Sequence, residues 1–136
     1  MSAHAAHAPQ VLLIEPDGLL RGTVASVCRE LQLVRLQQAI SIAQGEKWMK
    51  SNEDHGLLLS LAEGALALEF LERLRSGKFR CERHIPVAVM APSCDAVLAA
   101  RLKDLDVRRL LLQPFRLRDV VHTLEQLWPA PEALAA

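Results

Sequence analysis

The sequence of 136 residues contains no tyrosine and few other aromatic residues, and its charges cancel. Aromatic residues make up 4% of the chain, so a core must be built mainly from the aliphatic members of the 51% that is hydrophobic. Sixteen basic residues balance sixteen acidic ones. Because a chain without net charge has no global field that attracts nucleic acid or an anionic membrane, we expect neither as a direct partner.

Cysteines are few, and long hydrophobic runs are missing. Cys28, Cys81 and Cys94 are odd in number and show no Cys-x-x-Cys spacing, which argues against a disulfide framework and favours a reduced, cytoplasmic compartment. Cys81 and His84 are residues that can ligate a metal ion. Structural zinc takes four ligands, however, so we expect the segment from Cys81 to His84 to be a simple connecting loop. No apolar run reaches the roughly 20 residues that a membrane-spanning helix requires.

What the chain does contain is an alternation of short apolar runs with longer segments of helical periodicity. The apolar runs, at residues 10–14, 33–37, 56–61, 85–90 and 107–112, predict buried strands of a parallel sheet. The periodic segments, at residues 17–31, 41–50, 65–75, from 92–93 to about 104, and 116–127, predict helices on both faces of that sheet. In the first and third helices, apolar stripes predict that Leu31 and Leu66 face the core.

This order of elements predicts one flavodoxin-like α/β domain over residues 10–128. We expect a (βα)5 three-layer sandwich whose parallel strands lie in the order 2-1-3-4-5. A disordered tail is expected at residues 1–9 and a C-terminal tail at residues 129–136.

Three stretches of this chain together resemble the receiver domain of bacterial two-component response regulators. They read VLLIEPDGLLR near the start, HGLLLSLAEGALALEFLERLR in the middle and LLLQPFRLRDVVHTLEQL near the end, so the resemblance covers residues 11–127. It implies a CheY-like fold and a place in two-component, or phosphorelay, signal transduction. In that family an acidic pair follows the first strand, an acceptor aspartate follows the third, and Lys-Pro follows the fifth.

The resemblance places six residues of this chain in the receiver phosphorylation pocket: Glu15, Pro16, Asp17, Ser60, Ala91 and Gln113. Glu15 matches the first acid, Pro16 stands at the second, and Asp17 is one residue late and suited to cap a helix. Ser60 replaces the acceptor and is a poor nucleophile without an adjacent base. Gln113 replaces the lysine and carries no charge. We therefore expect a degenerate pseudo-receiver without catalytic residues, metal or cofactor.

The residues that relay phosphorylation in the family are also replaced. Receivers carry a threonine or serine after the fourth strand and an aromatic residue on the fifth. The matching residues here, Ala91 and Leu110, offer neither a hydroxyl nor an aromatic ring.

Several arginines fall on the fourth helix, fifth strand and fifth helix, the face by which receivers commonly dimerise or meet partners. Their guanidinium groups present forked donors that suit carboxylates on an acidic partner, and a solvated polar face is the alternative. We expect four of them, Arg108, Arg109, Arg116 and Arg118, to cluster on one exposed rim. The candidate interaction residues are Arg101, Arg108, Arg109, Arg116 and Arg118.

These observations predict a phosphorylation-independent protein–protein interaction module rather than an enzyme. The expected partner is a histidine kinase, another receiver or an output protein of the same pathway, with a homodimer as an alternative. Three other hypotheses stay open: a non-standard phosphorylatable switch that uses Glu15, Asp17 or Ser60, a domain that binds a small ligand in the neutralised crevice, and a fragment of a longer regulator.

Overall fold

A five-stranded parallel sheet forms the centre of the molecule, seen in a computed structural model that describes residues 8–127. The strands lie in the order β2-β1-β3-β4-β5, and every neighbouring pair is parallel. The predicted strand order and flavodoxin-like architecture are confirmed. The strands are β1 (Gln10–Ile14), β2 (Arg35–Ala39), β3 (Gly56–Ser60), β4 (Val87–Ala91) and β5 (Arg109–Leu112).

Five helices cover the two faces of the sheet. The side chains of the central strands β3 and β4 are therefore buried on both sides. They are α1 (Gly18–Leu31), α2 (Ile42–Met49), α3 (Ala65–Arg75), α4 (Ala96–Asp104) and α5 (Leu117–Leu127). The α1 and α5 helices enclose one hydrophobic cluster, and α2, α3 and α4 enclose the other. Within residues 8–127, none of the helices has the length and apolar character needed to cross a bilayer.

Three strands, β2, β4 and β5, begin two residues later than predicted, and in β2 and β5 the cause is the same. The residues Gln32 and Asp106 adopt left-handed backbone conformations, with φ of 54° and 55°, just after α1 and α4. The amides of the next residues, Leu33 and Val107, then donate back to carbonyls of those helices. In such C-terminal caps, the helix uses the amides of residues that the apolar run alone assigns to the next strand. The strand therefore begins later than the apolar run.

The predicted N-terminal tail includes two residues that the structure describes, Ala8 and Pro9. Ala8 is buried, and the carbonyl oxygens of Ala8 and Pro9 accept hydrogen bonds from Nε and the main-chain N of Arg35, at 3.1 and 2.9 Å. Residues 8 and 9 therefore belong to the folded domain. Residues 1–7, residue 128 and the tail predicted at 129–136 lie outside the described residues.

Two leucines expected in the core are exposed instead. Leu31 is 53% exposed and Leu66 is 55% exposed. Leu31 lies in the last turn of α1 and Leu66 in the first turn of α3, at opposite ends of the molecule. At each of these turns the apolar stripe of the helix extends beyond the end of the sheet. Ala67 takes the core position next to Leu66.

The α2 helix packs very closely against β1, and a glycine makes this approach feasible. A Cβ added to Gly45 would lie 2.3 Å from Cδ1 of Ile14. The absence of a side chain at this position therefore lets α2 seat against the strand that carries Glu15 at its end.

At the other end of the sheet, Arg75 joins three segments of chain. Its Nε donates to the carbonyl of Leu105 and its Nη1 to those of Arg83 and Ile85, each at 2.8 Å, and its Nη2 donates to Asp106 at 3.0 Å. Burial lowers the pKa of this guanidinium from its ordinary value. The last residue of α3 thus fixes the entries to β4 and β5.

Replacing Arg75 should destabilise the fold more than replacing an exposed arginine. Arg75→Met removes the donors for all four carbonyls, so we expect the free energy of unfolding to fall by about 2–3 kcal/mol. Arg80→Met is the control, since Arg80 is exposed and its guanidinium lies 3.6 Å from Glu53; it should cost less than about 1 kcal/mol. Urea denaturation measures both, and equal losses would contradict the joining role.

Candidate functional site

The strand ends bring most of the predicted pocket residues to one edge of the sheet. Ile14 pairs with Leu59, so Glu15 and Ser60 follow as neighbours, and the alternation along both strands turns them toward the α1 and α5 side. Gln113 is held beside Ala91, whose carbonyl accepts the Gln113 amide at 2.8 Å. We call this region the strand-end crevice, defined by Glu15, Pro16, Ser60, Ala91 and Gln113.

Glu15 is the carboxyl group buried in this crevice. It is 2% exposed, and its Oε2 accepts the Asp17 amide at 3.0 Å. Its Oε1 is buried with no hydrogen-bond partner. Burial, together with the charge of Asp17, raises the pKa of Glu15; the Asp17 amide, the Ser60 side chain and Arg21 lower it, and the net shift is upward. Compared with the unfolded chain, the folded protein therefore holds the proton of this carboxyl more tightly.

Arg21 supplies the positive charge that acts on Glu15, and it is not among the residues predicted for the crevice. Its Nη1 donates to the main-chain carbonyls of Glu15, at 2.8 Å, and Pro16, at 3.4 Å. The guanidinium thus holds the loop after β1 instead of reaching into the crevice. The available signal was the position of Arg21 four residues after Asp17, one helical turn along α1.

Asp17 caps α1, as predicted. Its Oδ1 accepts the amides of Leu19 and Leu20 at 2.9 and 3.1 Å. Ser60 is also engaged locally, because its Oγ accepts the Ala62 amide at 3.1 Å. The titratable group beside Ser60 is Glu15, and burial disfavours the ionised form that a general base would need.

Other acidic side chains at the same edge are also bound to helix amides. Glu63, in the loop after β3, accepts the Ile42 amide at 2.6 Å and so caps α2. Asp95 accepts the Leu98 amide at the start of α4 at 2.8 Å. Over residues 8–127, no three His, Cys, Asp or Glu side chains converge in a way that could hold a metal ion.

Cys81 and His84 differ in their exposure to solvent. Cys81 is buried, and its burial raises the pKa of the thiol to about 11. His84 is exposed, with its main-chain amide bonded to Glu82.

The surface cavities on the described part of the chain include five of about 340–460 Å³. Glu15, Ser60 and Gln113 line none of these five. One cavity of about 390 Å³ lies between β5 and α5 and another of about 340 Å³ between α4 and β5, and Arg109 lines both.

The five candidate interaction arginines do not form one rim. Arg108 donates to the carbonyl of Leu127 at the end of α5, at 3.1 Å. Arg116 and Arg118 lie at the other end of that helix, about 16 Å away for its eleven residues. Arg101 pairs with Glu72 on α3. The expected four-arginine cluster is therefore wrong, because β5 and α5 run in opposite directions and separate its members.

Comparison with solved structures shows that the chain shares the fold of receiver domains. The non-phosphorylated HemR receiver domain from Leptospira biflexa matches with a TM-score of 0.78 and 21% identity, over 90% of this chain and 98% of that one. The chemotaxis response regulator CheY4 of Vibrio cholerae matches with a TM-score of 0.78 and 12% identity, over 89% and 99%.

A response regulator receiver protein from Pseudoalteromonas atlantica matches with a TM-score of 0.74 and 23% identity, over 88% of this chain and 96% of that one. No family model matches the sequence, and no curated protein does either. These similarities establish a response-regulator receiver, or CheY-like, fold.

Replacing the buried carboxyl by an amide should stabilise the protein at neutral pH. The pKa of Glu15 is higher in the folded than in the unfolded chain, so folding stability falls as pH rises from the unfolded pKa of about 4.5 through the folded one. We expect Glu15→Gln to remove this fall, so that its advantage over the wild type is present at pH 7 and disappears near pH 4.

Urea denaturation across this pH range measures the effect. Glu69→Gln, which changes an exposed carboxylate on α3, should follow the wild type. A Glu15→Gln protein that is less stable than the wild type at pH 7 would show that the charged form is the one the fold requires.

Proposed function

We propose that this chain is a phosphorylation-independent protein-interaction module in bacterial two-component signalling. Its receiver fold supports the pathway, and the crevice supports the independence from phosphate. The observation that carries the proposal is that the crevice contains one buried carboxyl, Glu15, with neutral residues at the second acid, acceptor and lysine positions.

Phosphoryl transfer to a receiver needs three kinds of group that this crevice lacks. A carboxylate must attack, further oxygens must hold Mg²⁺, and a cation must neutralise the developing charge. Ser60 has no carboxylate, Pro16 has no side-chain oxygen, and Gln113 has no charge. Arg21 does not substitute for the lysine, because its Nη1 is bound to main-chain carbonyls.

The surface around the edge of β5 suits a protein partner. Arg109 and Leu110 line both of the cavities that flank this strand, and Leu112 lines the one between β5 and α5. A guanidinium with an apolar surround is typical of a contact point for an acidic partner segment. We propose that a histidine kinase, another receiver or an output protein binds here, in the cytoplasm, where Cys28, Cys81 and Cys94 stay free.

The wild-type chain should not respond to phosphoryl donors or their analogues. Mg²⁺ with acetyl phosphate should add no phosphate to the intact mass, and Mg²⁺ with beryllofluoride should not change Tm or the amide NMR spectrum. Amide NMR signals are preferred to Trp48 fluorescence as the readout, because Trp48 lies near the end of the sheet opposite the crevice. There its Nε1 donates to Asp54 at 3.0 Å.

The matched control restores the missing groups. Pro16→Asp, Ser60→Asp and Gln113→Lys together should give Mg²⁺-dependent stabilisation by beryllofluoride, whereas Ser60→Asp alone should not, because it adds a second buried acid beside Glu15. Phosphate found on Ser60, Glu15 or Asp17 of the wild type would overturn the proposal and favour a non-standard switch.

Reversing the charge of Arg109 should weaken partner binding without unfolding the domain. Purified kinases and receivers of the source organism can be tested pairwise against the full chain by biolayer interferometry. For the partner found, Arg109→Glu should lower the association rate about tenfold and reduce its salt dependence. Arg29→Glu, beside β2 at the opposite edge of the sheet, should leave the rate unchanged. Equal rates for both variants would place the partner elsewhere.

A further inference from the structure

The exposed large hydrophobic side chains gather at one end of the molecule. Seven are exposed among residues 8–127, and one of them, Leu31, lies at the far end of α1. The other six stand at the end of a strand, in the loop that follows it, or in the first turn of a helix. We call these six the apolar collar: Leu19, Ile40, Leu66, Val97, Leu112 and Leu117.

The surface inside the collar combines apolar residues with polar ones such as Ser93 and Asp95. The loops that follow the strands place Pro16, Ala62, Pro92 and Pro114 in exposed positions. Five strands spaced by about 4.8 Å and three layers of about 10 Å give this end of the molecule an area of roughly 700 Å². A standard protein interface buries about 800 Å² on each partner, so the face is close to the size that a specific dimer uses.

The collar has an approximate two-fold arrangement that follows from the strand order. β3 is central, with β1 and β2 on one side and β4 and β5 on the other. A two-fold axis perpendicular to the sheet, over the end of β3, would set Leu19 of one copy against Leu117 of the other. The same axis would set Ile40 against Val97, and Leu66 near the Leu66 of the second copy.

The charges fit the same axis. Arg116 and Arg118 begin α5 and would face the start of α1, where Asp17 is exposed. Asp17 uses only Oδ1 for its helix cap, which leaves Oδ2 as an acceptor for a guanidinium of the other copy. Glu63 and Asp95 are bound to helix amides, which offsets part of their charge. The chain as a whole is neutral, so two copies do not repel each other at long range.

We propose that the apolar collar is the interface of an isologous dimer of this chain, with Leu19 packed against Leu117 of the second copy and Arg118 paired with its Asp17. The interface covers the strand-end crevice and leaves most of the β5 edge free. The proposal rests on the surface itself and not on the signalling role proposed above.

Sedimentation equilibrium of the full chain over a wide concentration range tests the dimer. We expect a monomer–dimer equilibrium that Leu19→Glu and Leu117→Glu each weaken at least about tenfold, because each substitution enters a two-fold interface twice. Leu31→Glu, an exposed leucine on the same helix at its other end, should have no effect. All these positions are exposed, and thermal unfolding checks that each variant is folded.

Two further variants test the axis. Leu19→Lys and Leu117→Glu combined should recover part of the affinity lost by either alone, since the two positions meet across the interface. In a Cys94→Ser background, Leu66→Cys should form an intermolecular disulfide on mild oxidation, and Leu31→Cys should not.

The outcomes separate this proposal from the function proposed above. A chain that is monomeric at every concentration overturns the dimer and leaves partner binding at Arg109 intact. A dimer that persists in the Leu19→Glu, Leu117→Glu double variant, or that Arg109→Glu dissociates, also overturns the proposed interface.

Discussion

Burial of the Glu15 carboxyl at the end of β1 is the constraint on which the strand-end crevice depends. The main-chain amide of Glu15 donates to Ala39 at 3.0 Å, so the residue continues β1 into the crevice with its side chain enclosed. One carboxyl oxygen has no partner, and a second buried carboxylate nearby would repel it. The uncharged side chains of Ser60, Ala91 and Gln113 add no such repulsion beside Glu15.

The remaining acids at this end stabilise helix starts. Asp17, Glu63 and Asp95 each accept helix amides, and Asp119 accepts the Arg116 amide at 2.8 Å. Carboxylates at helix N-termini satisfy donors that have no partner within the helix and interact favourably with the helix dipole. Acidic side chains at the strand ends thus serve the fold, which explains how an edge with several carboxylates nearby still offers no convergent metal site over residues 8–127.

The sequence was sufficient for the fold because its apolar runs are continuous where strands are buried on both faces and periodic where helices are buried on one. The α3 helix was predicted with its observed bounds, whereas β2 and β5 were not, because left-handed caps depend on backbone geometry that apolar patterns do not encode. The roles of Arg21 and Arg75 were missed for a related reason. Both bind main-chain carbonyls, three of the four that Arg75 binds lie ten or more residues away, and no residue spacing marks such contacts.

Under the proposed function, the domain responds to its surroundings through binding and not through phosphate. Such a domain can shift between states only through differences in binding free energy. The cavity between β5 and α5 is lined by Leu112 and Pro114, which also lie on the strand-end face. The two proposed surfaces therefore share an edge, and a partner that fills this cavity must compete with the second copy for Leu112. By linkage, a partner that binds the monomer more tightly than the dimer shifts the chain toward monomer, and the dimer weakens partner binding by the same factor. Under the two proposals, competition for this shared leucine would therefore regulate partner binding.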